Sequence, residues 1–312
     1  MILRRLCLLL ALLAAGCAGP GVRTPPPSAG VELTEVPFFP QQDYQCGPAA
    51  LATVLTWSGA PTEPEQLVAR VYVPARQGSL QPELVAEARR HGRLSYEIEP
   101  SFGALLAELR AGHPVLVLQN LGLGWWPVWH YAVVVGYDPD ADAVILRSGR
   151  RPRHVVARAT FERTWRRAER WGLLTLEPSR LPASASPERL LAAAFELERG
   201  GDGSAAERSY RAALARWPAE PRLALALANR QYARGALAEA AATLERALAA
   251  GAVDGMLYNN LALIRLALGD EDGAERAARR AVELGGPLSD EFRDTLEQVL
   301  RARSRPLLNG TP

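Results

Sequence analysis

The stretch Val36-Pro-Phe-Phe-Pro-Gln41-Gln-Asp-Tyr-Gln-Cys46-Gly-Pro-Ala-Ala-Leu51 decides how the N-terminal half of this chain is read. From Cys46 to Trp57 the sequence runs CGPAALATVLTW, with apolar residues at helical spacing. Gly47-Pro48 open that helix, and proline in a first turn loses no hydrogen bond because its N–H would have no partner there. Cys46 is therefore predicted at a helix N-terminus, where the macrodipole and the unpaired N–H groups favour thiolate over thiol. Gln41, a few residues upstream, can donate its side-chain amide to an oxyanion beside the Cys46 backbone N–H. Gln42 and Gln45 compete for that role.

Working outward, short helices are expected near Glu63–Val71, Gln81–His91 and Phe102–Ala111. Strands follow at Pro114–Gln119, His130–Tyr137, Ala143–Arg147 and Trp171–Leu176, with a helix near Thr160–Glu169. Helices first and an antiparallel sheet later is an α+β pattern. His130 opens a buried strand, where it is rigidly placed and can take a thiol proton. Asp138 lies eight residues along that strand, ~26 Å away, so Asp138, Asp140 and Asp142 read as the hairpin turn at the far end. A hairpin centred on Pro139–Ala141 returns residues 148 to 151 to the side of His130.

Gln41, Cys46-Gly47-Pro48 and His130-Tyr131 with a β run ending Gly136-Tyr137 resemble the double-glycine-leader (bacteriocin-processing) peptidase-like family, family 39-like cysteine peptidases of papain-like fold. The resemblance covers about Val36 to Glu177. It implies Cys46 as nucleophile, His130 as general base and then acid, and Gln41 as oxyanion donor; Gln41 follows Pro40, as in the family pattern. The family places an aspartate followed by proline on the next strand to orient the histidine. Here the aligned stretch is Leu146-Arg147-Ser148-Gly149, so Ser148 stands at the histidine-orienting position. A neutral hydroxyl stabilises imidazolium less than a carboxylate does.

Residues 1–17 read as an address. Arg4 and Arg5 precede an apolar run from Leu6 to Ala15, too short to span a bilayer and suited to a secretory signal. Leu13-Ala14-Ala15-Gly16-Cys17 resembles the lipobox of bacterial lipoproteins, which implies acylation of Cys17. Ala18 after the cysteine, in place of aspartate, resembles the outer-membrane sorting pattern, so a periplasmic, lipid-anchored chain is expected. Residues 18–35 are expected to be a flexible tether rich in proline, glycine and serine. Without residues 1–17 the 36 basic residues, all arginine, fall to 34 against 34 acidic ones. That balance removes the electrostatic term of nucleic-acid binding, and no nucleic-acid partner is expected. Of three cysteines, Cys7 leaves with the signal and Cys17 carries lipid, so Cys46 is a lone thiol in an oxidising compartment.

The C-terminal half repeats every 34 residues. Gly201, Gly235 and Gly269 share one register; Ala206, Ala240 and Ala274 a second; Ala213, Ala247 and Ala281 a third. The period and the small residues resemble tetratricopeptide repeats, helix-turn-helix units that stack into an all-α solenoid with a groove for a protein partner or peptide substrate. The expected layout is a peptidase-like domain at 36–178, a linker at 179–186, three repeats at 187–288, and a capping helix and tail at 289–312. Tyr210, Asn229, Arg230, Tyr258, Asn259 and Asn260 include candidate groove residues.

His91, His113 and His154 lack catalytic context and are read as structural. The sequence contains no HExxH or CxxC pairing, so neither metal nor cofactor is implied. Trp125, Trp126 and Trp129 precede His130 and either wall a substrate cleft or form an aromatic loop packed on the core. Two functions from different classes follow: an anchored thiol hydrolase of peptide or amide bonds, or a peptidase-fold scaffold acting through protein binding. Acyl transfer to an amine would use the same residues as hydrolysis.

Overall fold

The structure is a computed structural model that describes residues 30–41 and 45–304. Cys7 and Cys17, with the signal and most of the tether expected around them, lie outside the described residues, as do Gln42 and the tail from residue 305.

The N-terminal part is an α+β domain built on a seven-stranded antiparallel sheet. Its strands are β1 (Val31–Glu32), β4 (Leu94–Glu97), β5 (Val115–Asn120), β6 (Trp129–Asp138), β7 (Ala143–Ser148), β8 (Arg151–Ala157) and β9 (Gly172–Leu176). The order is β4-β9-β5-β6-β7-β8, and β1 pairs with the far half of β6. A small hairpin of β2 (Tyr72–Val73) and β3 (Gly78–Ser79) stands apart from this sheet.

Helix α1 (Cys46–Trp57) is buried from Gly47 through Leu55. A helix apolar on all sides belongs inside a core. With α2 (Pro64–Val71) and α3 (Gln81–Arg90) it covers one face of the sheet, packing Leu51, Val54 and Leu55 among Leu116, Val133 and Val135. Helices α4 (Phe102–Arg110) and α5 (Arg158–Arg166) cover the other face, with Leu105, Leu109, Phe161 and Trp165 against Val117, Ala132 and Val134. The alternation of those strand residues between two cores follows from the two-residue period of a strand.

Seven helices make up the C-terminal part: α6 (Pro187–Arg199), α7 (Gly203–Arg216), α8 (Pro221–Ala233), α9 (Leu237–Ala249), α10 (Gly255–Ala267), α11 (Glu271–Leu284) and α12 (Ser289–Arg303). They form three helical hairpins and a final helix, the arrangement of tetratricopeptide repeats. Gly201, Gly235 and Gly269 close the first helix of each pair at φ of +93°, +80° and +82°, a left-handed conformation in which glycine carries no Cβ penalty. Ala206, Ala240, Ala274, Ala213, Ala247 and Ala281 are all buried where paired helices touch.

Two expectations change. The tether does not run to residue 35: Val31 and Glu32 pair with Tyr137 and Gly136, and Leu33 N–H donates to Val135 O at 2.8 Å. The apolar alternation of Val31 and Leu33 against a bare stretch of β6 outweighs the tether-like composition just upstream. The segment between the two parts is also packed instead of free. The buried Glu108 carboxylate accepts from Ala183 N–H at 3.0 Å, Ser184 N–H at 2.7 Å and Ser184 Oγ at 2.5 Å. It also meets His113 Nδ1 at 2.8 Å. Burial pushes the Glu108 carboxyl up, but hydrogen bonds from His113 and Ser184 outweigh it and leave the group below its ordinary value. Leu190, Ala194 and Tyr210 of the repeats share one hydrophobic core with Tyr96, Leu105 and Trp165 of the sheet domain.

Candidate functional site

Cys46 sits at the first residue of α1, with Gln45 as N-cap making no side-chain capping bond. Pro48 has no N–H, so the N–H groups of Cys46 and Gly47 are the ones a cap would have used. These two groups and the backbone of Tyr131 all favour the thiolate of Cys46. Burial acts the other way and is the largest effect, so the Cys46 thiol is held above its ordinary pKa. The helix-terminus expectation of a lowered pKa is therefore overturned, because burial of the charge outweighs the hydrogen bonds from the backbone of Tyr131, Gly47 and Cys46.

The path that brings His130 to this point runs through the sheet. Residues 129–134 of β6 are paired with β5 in register, His130 opposite Gln119. On the other side the β6–β7 hairpin returns Ser148 to the level of His130, and His130 Nε2 lies 2.8 Å from Ser148 Oγ. Asp138 is at the opposite end of β6, where its carboxylate accepts from Asp140 and Ala141 N–H in the turn. Burial, with His154 adding like-charge repulsion, pushes His130 down to about 4. Both Cys46 and His130 thus rest in their neutral forms at neutral pH.

Gln41 joins the same cluster. Its Nε2 donates to Tyr131 O at 3.3 Å, and its N–H donates to Gly149 O at 3.0 Å. One amide hydrogen on Nε2 remains after the Tyr131 contact. Cys46, His130, Gln41 and Ser148 are thereby brought together from four separate chain segments, all linked through Tyr131 or Gly149. Gln45 is spent as the N-cap residue, its carbonyl accepting from Ala49 N–H at 3.3 Å.

Ser79 is a member of this environment that the sequence reading missed. Tyr131 Oη donates to Ser79 O at 3.3 Å, and a Cβ on Gly47 would lie 2.3 Å from Ser79 Oγ. Glycine after Cys46 is thus required by the β2–β3 hairpin beside it. A Gly-Ser pair before the helix at Gln81 was the only signal, and it is too common to read.

The other candidates separate cleanly. His113 is buried against Glu108, His91 ends α3 with Nδ1 3.0 Å from Glu87 O, and His154 lies on β8 beside Arg151. Trp125, Trp126 and Trp129 are 78%, 68% and 53% exposed, so the loop does not pack on the core. In the repeats, Tyr210 and Asn259 are buried and leave the groove candidates. Asn229 and Asn260 are hydrogen-bonded to each other at 3.3 Å and, with Tyr232 and Ile264, line a cavity of about 410 Å³.

Residues 33–172 match the model of the Peptidase_C39 like family. No curated protein matches the chain. Among solved structures, a C39-like peptidase from Bacillus anthracis is similar at 19% identity and a TM-score of 0.41, over 48% of this chain and 98% of that one. The Yersinia enterocolitica type III secretion chaperone SycD, in complex with a peptide of the translocator YopD, is similar at 20% identity and a TM-score of 0.34, over 38% of this chain and 94% of that one. YrrB, a TPR protein with an unusual peptide-binding site, is similar at 23% identity and a TM-score of 0.34, over 38% of this chain and 61% of that one.

Proposed function

We propose that this chain is a cysteine peptidase, a thiol hydrolase of peptide bonds, anchored through Cys17 at the periplasmic face of the outer membrane, with repeats that bind a protein partner or substrate. The observation that carries the reading is the His130 Nε2–Ser148 Oγ contact of 2.8 Å on the strand whose next residue, Tyr131, contacts the Cys46 thiol. Ser148 occupies Nε2, which leaves Nδ1 to exchange a proton with Cys46. For Nδ1 to accept, Nε2 must carry the hydrogen and donate to Ser148 Oγ.

The pair starts neutral, so proton transfer accompanies attack instead of preceding it. The Cys46 S–H proton passes to His130 Nδ1 as sulfur bonds to the scissile carbonyl carbon. The resulting oxyanion is met by the Cys46 N–H and the spare Gln41 amide hydrogen. The imidazolium then protonates the leaving amine as the C–N bond breaks. Water, deprotonated by the same nitrogen, releases the acid product and restores the thiol. A chain held by the repeats, at the cavity lined by Asn229 and Asn260, would be delivered to this site at raised effective concentration. The anchor rests on the sequence of residues 1–17.

A scaffold with little catalysis is the second reading, favoured by one observation: a hydroxyl at 148 accepts or donates with equal ease and does not fix the histidine tautomer. The two separate in one experiment. Purified full-length chain is incubated with a proteome-derived peptide library, and new termini are sequenced by mass spectrometry. Hydrolysis predicts termini that are lost with Cys46→Ala and with His130→Ala. A library left intact by the wild-type chain contradicts it.

A further inference from the structure

Strands β5, β6, β7 and β8 present one end of the sheet to a group of loops that the proposed chemistry does not use. The β5–β6 connection, residues 121–128, carries Leu121, Leu123, Trp125, Trp126 and Val128, and with Trp129 it exposes between 49% and 78% of each of these side chains. Monomeric proteins seldom leave so large a contiguous apolar patch in water without a partner for it.

The loop is built, not loose. Asn120 Oδ1 accepts from Gly122 N–H and Val128 N–H, both at 3.0 Å. Leu123 and Trp126 exchange backbone bonds of 3.0 and 3.2 Å, and Arg167 donates to Gly122 O. A Cβ on Gly122 would meet Trp126 O at 2.3 Å, so the close crossing demands glycine. Trp125 and Trp126 stand edge to face at its tip, ring centroids 6.4 Å apart.

The charges around it are predominantly positive. Arg150 and Arg151 occupy the β7–β8 turn at the same sheet end, and Arg163, Arg166, Arg167 and Arg170 run from α5 to the start of β9. Among the described residues, none of these six forms an ion pair with a carboxylate; Glu162 is paired with Arg158, and Glu169 is the remaining acid among them. The opposite end of β6 and β7 carries Asp138, Asp140 and Asp142. The domain is therefore polarised along its strands, with tryptophan and arginine together at one end.

We propose that this end docks on an anionic phospholipid surface, the three tryptophans entering the headgroup boundary and the arginines meeting the phosphates. Tryptophan is the side chain most suited to that boundary, with an apolar body and one N–H at its rim. Juxtaposed arginines add attraction to anionic lipid. A peptide ligand would use the exposed rings but gives no role to arginines on two separate segments. The docking stands independently of whether Cys46 is catalytic, and it places the Cys46–His130 end of the sheet at the bilayer.

The test uses the full-length chain on vesicles of equimolar phosphatidylcholine and phosphatidylglycerol with brominated acyl chains, reading tryptophan emission. Residues 1–29 and 305–312 contain no tryptophan, so anchoring by the leader contributes no emission of its own. The wild-type chain is expected to be quenched, and Trp125→Ser/Trp126→Ser to lose that quenching with an unchanged thermal melt. Arg163→Gln/Arg166→Gln is expected to lower quenching toward the level seen on vesicles of phosphatidylcholine alone. Absence of quenching in the wild type, or equal quenching in the tryptophan variant, overturns the proposal. So does an emission shift produced by a polyglutamate peptide or single-stranded DNA but not by vesicles.

Discussion

Replacing Ser148 by aspartate is the perturbation whose outcome follows most directly from the site. His130 Nε2 lies 2.8 Å from Ser148 Oγ, and burial holds the imidazole down to about 4. The charged partners around His130 supply only repulsion, from His154. A carboxylate at 148 places an opposite charge within hydrogen-bond reach, which raises a neighbouring pKa by about 1 to 3. His130 should then titrate at roughly 5 to 7, equivalent to about 1.4 to 4 kcal/mol in favour of imidazolium. The carboxylate also accepts only, so it fixes the hydrogen on Nε2 and leaves Nδ1 bare for Cys46. The assay is the His130 ring-proton chemical shift followed by NMR against pH, in wild type and Ser148→Asp. Alkylation of Cys46 by iodoacetamide at pH 7 should rise in the variant. A His130 midpoint that stays at the wild-type value or falls refutes the reasoning, because the aspartate would then not reach the ring.

Three further outcomes are expected. His130 is lowered from its ordinary value of 6.5 to about 4, so the unfolded chain binds a proton that the folded chain refuses as pH falls between those values. Stability should drop by up to about 3 kcal/mol over that window, and His130→Gln should abolish that share of the pH dependence in urea titrations at pH 7 and pH 4. Gly47→Ala brings a Cβ to 2.3 Å from Ser79 Oγ; a loss of about 1 to 3 kcal/mol is expected from overpacking, and Ser79→Gly in the same chain should restore most of it in thermal melts. Glu108→Ala strips the partner from His113, Ala183 N–H and Ser184 N–H. It should cost about 3 kcal/mol and open residues 178–187 to limited proteolysis.

The parts of the fold legible in the sequence were those with strong periodicity. The β6–β7 hairpin and the glycine and alanine registers of the repeats follow from spacing, while α1, apolar on all sides, was marked by Gly47-Pro48 at its start. The strands that escaped give weak patterns: β1 and the β2–β3 hairpin hold two residues per strand, β8 alternates without an apolar face, and β4, though buried from Leu94 to Tyr96, spans only four residues. The pairing of His130 with Ser148 was readable because the β6–β7 hairpin returns residues 148 to 151 to the side of His130, whereas Gln41 was singled out through the resemblance to the peptidase family. The protonation state was not, since the helix terminus is visible in sequence while the desolvation that opposes it depends on the whole core around Cys46. Likewise Glu108 looked like any surface acid of an amphipathic helix. Its role emerges only when the segment at 182–185 folds over it and donates two N–H groups.

The peptidase reading stands on His130 acting on Cys46. The direct measurement is the rate of Cys46 alkylation by iodoacetamide across pH 3.5 to 8, in the wild-type chain and in His130→Ala. The account predicts that the wild-type rate climbs as His130 loses its proton near pH about 4, then stays level through neutrality while the base accepts the thiol proton. In His130→Ala the reaction should be slow and should increase with pH throughout, as a buried thiol ionises unaided. Two superimposable profiles would contradict the pairing of Cys46 with His130 and, with it, the peptidase reading.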